Sequence, residues 1–169
     1  MRYFTRGWAS GELSDDVSDQ AKEAYHARVA EITPRLPPAM VRLVHEISVH
    51  DGIIEQVIWN SHLNRLQLTI VCTDAYQNYI QAQLTYSGAM LGSSRIESLQ
   101  RAALSRETEL LYDEVDIDDD SVFSHRLLFD PCEEVTIDFK KLELVVSPRA
   151  DQRVHLGRAF IVEGPEELA

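Results

Sequence analysis

The chain has 169 residues, an apolar fraction of 44% and a formal net charge of −12. That length suits one domain able to bury a core without disulfides or metals, and the composition excludes a disordered chain. The acidic balance argues against non-specific binding to nucleic acid or to anionic membranes, since both require basic surface. No run of about 18 apolar residues occurs, so no helical membrane span is expected. Met1 to Gly11 mixes charged and aromatic residues without the apolar run of a secretory signal, which gives the expectation of a cytoplasmic protein. The two cysteines, Cys72 and Cys132, sit in or beside apparent strands and form no CxxC or Cys/His cluster. They read as reduced, buried thiols.

In chain order, Tyr3, Phe4 and Trp8 concentrate three aromatic rings at the start, where such rings commonly tie a terminus to the core. Ser14 is a suitable N-cap, and Asp15 and Asp16 place negative charge in a first turn. Val17, Ala21, Ala24, Tyr25, Arg28 and Ile32 follow at helical spacing, and Pro34 stops that helix. Pro37 and Pro38 open a second helix with Met40, Val41, Leu43, Val44 and Ile47 on its buried side. Asp51-Gly52 is expected to end it.

The pattern then changes to period two. Ile53 to Trp59 reads as a strand. Leu66, Leu68, Ile70 and Cys72 alternate with Gln67, Thr69 and Val71, and Ile80, Ala82, Leu84 and Tyr86 alternate with Gln81, Gln83 and Thr85. Short turns between such strands predict an antiparallel meander with one wet face. Ser94 and Glu97 have the spacing of a capping box for a short helix. Strands resume over Leu110 to Ile117, Val122 to Phe129 and Val135 to Phe139. At Lys140-Lys141 the parity slips by one residue, which calls for a bulge or a tight turn before Leu142, Leu144 and Val146. A polar tail follows Pro148, with one apolar patch at Phe160 to Val162. The reading is an α+β domain. It has a helical lead-in over 1–50, a mainly antiparallel sheet of about five to seven strands with one inserted helix over 51–147, and a tail over 148–169. The N-terminal helices are expected to pack on one face of the sheet.

Chemistry-bearing patterns are few. His45, His50 and Asp51 offer two imidazoles near a carboxylate, a set that can hold a metal, although Asp51 before Gly52 is also what a turn requires. Asp116, Asp118 and Asp120 have the first, third and fifth positions of a calcium loop, but Ser121 and Leu127 stand where glycine and glutamate belong. No GxSxG motif or glycine-rich phosphate loop occurs. The acid is concentrated from Glu107 to Asp138, where only Arg126 opposes it in sequence. A strongly negative face is therefore expected there.

The opening Met1-Arg2-Tyr3-Phe4-Thr5, His50-Asp51-Gly52, Leu111-Tyr112-Asp113-Glu114-Val115, Arg126-Leu127-Leu128-Phe129 and Ile137 to Leu144 together resemble an uncharacterised bacterial family, domain of unknown function family 4085. The resemblance spans most of the chain and implies a bacterial, cytoplasmic origin. It implies no activity and no site residues.

Two functional readings follow. One is a non-catalytic binding protein that presents Asp116, Asp118, Asp119 and Asp120 to a basic protein partner, in one version as an immunity protein against a toxic nuclease. The other is a small metal-dependent hydrolase using His45, His50 and Asp51. No cofactor, nucleic acid or membrane is expected as a partner.

Overall fold

Prolines and first-turn charges set the limits of the N-terminal helices. In the computed structural model, which describes residues 1–105, 108–118, 121–130, 133–149 and 159–163, a short helix α1 (Arg6–Ala9) precedes α2 (Asp15–Ile32). Ser14 occupies the N-cap of α2 without a side-chain capping bond, and Asp15 and Asp16 lie in the first turn. α2 buries only Val29 and Ile32. It ends where Thr33 Oγ donates to the Val29 carbonyl at 2.7 Å and Pro34 enters a single 3₁₀ turn, Thr33–Arg35. Pro37 then caps α3 (Pro38–Glu46), whose Met40 and Leu43 reach the core.

The sheet begins earlier than the periodicity suggests. β1 (Ile47–Asn60) starts directly after α3, so His50-Asp51-Gly52 is a bulge inside a strand and not the end of a helix. Asp51 takes a left-handed backbone (φ 57°), a conformation that Asp tolerates better than most residues. A Cβ on Gly52 would lie 2.5 Å from the Val49 carbonyl oxygen, so the bulge requires glycine.

β2 (Arg65–Asp74) and β3 (Tyr79–Ser87) complete an antiparallel meander with β1. β3 keeps strict alternation, burying Ile80, Ala82, Leu84 and Tyr86. β2 does not, because Thr69 and Val71 are buried too. After α4 (Ser93–Leu104), a second meander forms from β4 (Glu109–Ile117), β5 (Phe123–Asp130) and β6 (Glu133–Phe139). The cap of α4 is Gly92, with no side-chain capping bond, so Ser94 lies inside the helix and the expected capping box does not form.

The parity change at Lys140 is a strand exchange. β6 ends at Phe139, and β7 (Lys141–Pro148) pairs with β3 at the far end of the strand order β6-β5-β4-β1-β2-β3-β7. These seven strands pair antiparallel. An eighth, β8 (Ala159–Glu163), arises from the apolar patch of the tail and lies parallel to Gln56–Asn60 of β1. β1 therefore shares one edge between β4, met at Gly52, and β8. α2 packs on β4, α3 on β1 and β7, and α4 on β1, β6 and β8. The fold is α+β, as the sequence implies.

Candidate functional site

The acidic residues of β4 turn inward. Four successive residues, Glu114 to Ile117, are buried, so both faces of β4 are covered. The Glu114 carboxylate accepts the backbone N–H groups of Arg2 (2.8 Å), Tyr3 (2.7 Å) and Phe4 (2.8 Å). Asp116 accepts from Arg2 Nη1 (2.7 Å), Arg28 Nη2 (2.8 Å) and Arg126 Nη2 (3.4 Å). Burial acts to raise the Asp116 carboxyl, but Arg28, the Ile117 N–H and Arg126 outweigh it and hold the group below the usual carboxylate range. The aromatic residues of the N-terminal segment seat on this cluster. The Phe4 ring lies 4.9 Å from Trp8, 5.0 Å from Tyr25 and 5.6 Å from Tyr112.

Asp116 is thus part of an internal ion cluster and is not available at the surface. Asp118 is exposed in the turn after β4, where its Oδ1 accepts the Val122 N–H and its carbonyl accepts from Arg35. Asp119 and Asp120 lie outside the described residues, as do Glu107 and Cys132. Elsewhere in the acidic stretch Arg101 meets Glu133, and Arg95 and the Ser124 hydroxyl meet Asp138. The expectation that Arg126 alone opposes the acid is corrected: Arg2, Arg28, Arg95 and Arg101 join it from distant parts of the chain.

A polar cleft of about 630 Å³ opens beside the β1 bulge, lined among others by His50, Asp51, Cys72, Asp74, Gln77 and Glu109. His50 Nδ1 is 2.7 Å from the Leu111 carbonyl, which can only accept, so Nδ1 carries the proton in the neutral ring. The ring stacks on Tyr112 at 4.9 Å and 21°, and Nε2 lies 3.7 Å from Asp51 Oδ1. Asp74 closes the β2–β3 turn by accepting from the Tyr76 and Asn78 N–H groups. Burial, with a smaller effect from Asp113, pushes the Cys72 thiol up to about 12, so this cysteine is no nucleophile at neutral pH. The structure therefore brings His50 and Asp51 together at one cleft, whereas His45 stands exposed in the last turn of α3 and does not line it. Among the described residues, no three His, Cys, Asp or Glu side chains form a group able to hold a metal ion.

One polar network escapes sequence reasoning. The Tyr86 hydroxyl lies 2.7 Å from His125 Nδ1, and His125 Nε2 lies 3.0 Å from Asp113 Oδ2. With Asp113 ionised, Nε2 carries the proton and Nδ1 accepts from Tyr86. Tyr86 and His125 are fully buried, so the chain links β3, β5 and β4 across the core. Burial, then the Asp113 charge, keeps the Tyr86 hydroxyl protonated. The available signal was a tyrosine at an inward strand position, which must find a partner.

Comparison with curated proteins and with solved structures returns no match. A family model does match, over residues 3–139, a span that holds β1 to β6 and the helices but ends before β7 and β8. Its description is a protein of unknown function, and the chain belongs to that family, DUF4085.

Proposed function

We propose that this protein is a non-catalytic binding protein whose acidic surface receives a basic protein partner. One observation carries the reading: six arginines are paired with carboxylates of the same chain, three of them at the buried Glu114 and Asp116. Arg2, Arg28 and Arg126 serve Glu114 and Asp116, Arg149 serves Glu55, Arg95 serves Asp138 and Arg101 serves Glu133. On a chain of net charge −12, the carboxylates of Asp15, Asp16, Glu23, Asp51, Glu109 and Asp118 stand exposed. Such a surface steers a basic partner and speeds encounter more than it tightens the final complex. In this reading the exposed Asp118 and its sequence neighbours Asp119 and Asp120 belong to that surface, and the buried Asp116 does not. An immunity role, in which carboxylates cover the basic cleft of a toxic nuclease, is one concrete form. A metal-dependent hydrolase built on His45, His50 and Asp51 has less support, because His45 is not at the cleft.

The test is association kinetics with a partner captured from the native cell. With Asp118→Lys, Asp119→Lys and Asp120→Lys combined, the on-rate at low salt should fall about tenfold and its salt dependence should flatten, with circular dichroism unchanged. Association that is indifferent to this charge reversal would overturn the reading.

A further inference from the structure

The cleft beside the β1 bulge carries three carboxylates and an imidazole. Asp51 and Glu109 stand exposed on it, Asp74 borders it, and among the described residues no lysine or arginine lines it. His50 adds another acceptor. Its Nδ1 proton is committed to the Leu111 carbonyl, so the neutral ring offers the Nε2 lone pair, and Tyr112 fixes the ring plane by stacking. A separate feature adjoins these acceptors. Tyr76 is 86% exposed, between Ala75 and Gln77, both of which line the cleft. Its backbone is fixed by the turn that Asp74 closes, with Gln77 N–H donating to the Asp74 carbonyl at 2.9 Å. An aromatic ring displayed on a fixed turn gives contact area at low entropic cost, which is why tyrosine is enriched among the residues that dominate protein interfaces.

We propose that this cleft seats an arginine side chain of a basic protein partner, with the guanidinium held by Asp51, Glu109 and His50 Nε2, and with Tyr76 packing against the residues that flank that arginine. The inference rests on the reading of the protein as an acidic binder and assigns that reading a place. A guanidinium has five N–H donors, no acceptor and a planar shape that stacks on rings, so it suits carboxylates grouped beside the exposed His50 ring. A lysine ammonium is a point charge with three donors and no such plane. A metal ion suits the cleft less well, since among the described residues no three side chains gather to hold one.

A capped tetra-arginine peptide, titrated into the isotope-labelled full chain at low salt and followed by backbone amide shifts, tests this. The shifts should centre on His50 to Gly52, Thr73 to Gln77 and Glu109. Affinity should fall about fivefold or more in the double variant Asp51→Asn/Glu109→Gln, and fall also in Tyr76→Ala. Asparagine tolerates the left-handed backbone at Asp51, so the bulge survives the substitution. A tetra-lysine peptide should bind the cleft more weakly. The assignment is overturned if the shifts centre on Asp15, Asp16 and Asp118 while the cleft stays silent, or if tetra-lysine binds the cleft as well as tetra-arginine. Either result leaves the acidic-binder reading standing. Absence of binding by either peptide anywhere on the protein would sink both.

Discussion

Tyr86 shows what a single atom does in this core. Its hydroxyl supplies the proton that His125 Nδ1 accepts, while its ring packs edge-on against Phe139 at 5.0 Å. Tyr86→Phe keeps the packing and removes the donor, leaving a buried acceptor unpaired. The expected loss is about 1–3 kcal/mol, read from urea unfolding. His125→Ala removes both hydrogen bonds and opens a cavity, so its loss should be larger, about 3 kcal/mol or more. Equal stability of wild type and Tyr86→Phe would mean that the hydroxyl is not bonded as described. Sequence reading placed Tyr86 inward but did not single out His125. Alternation gives the direction of a side chain and is silent about its partner, which here is 39 residues away on another strand.

Among the elements, β1 decides the geometry of the cleft. Its bulge turns His50 and Asp51 toward β4 and the β2–β3 turn, and its far half accepts β8. Gly52→Ala drives a methyl group into the Val49 carbonyl, so it should destabilise by about 3 kcal/mol and perturb the His50 ring resonances before other sites. A variant as stable as wild type would mean that the bulge relaxes freely. β3 was legible because one of its faces is wet and the other dry. The start of β1 was not, since Ile47 continues the apolar stripe of α3 and periodicity alone cannot separate a helix end from a strand start. β8 was legible only as an apolar patch, because its partner, β1, lies about a hundred residues earlier in the chain.

For the whole molecule, charge is arranged by topology. The acidic stretch read as one-sided because opposing charges were sought nearby in sequence. Asp116 draws Arg28 from 88 residues away and Arg2 from 114. The same arrangement fixes a pH dependence. The folded-state value of Asp116 lies below its unfolded value, so its contribution is fully present above the unfolded value near 3.9 and is lost as pH falls through the lower folded value. Asp116→Asn should therefore be less stable than wild type at neutral pH and should lose less stability on acidification across that window. Parallel acid curves for the two proteins would show that the ion cluster contributes nothing to stability.

Glu114 also imposes an order on synthesis. The amides of Arg2 to Phe4 are synthesised before the carboxylate that receives them, which follows 110 to 112 residues later. Until β4 exists, Phe4 lacks the Tyr112 ring and the Glu114 carboxylate on which it rests, and so do the neighbouring amides. In a nascent chain this aromatic segment therefore lacks part of its seat, with only Trp8 and Tyr25 near in sequence to pack on, until about 110 further residues have been made. Its seating on Glu114 is a high-contact-order step, which places it late in folding.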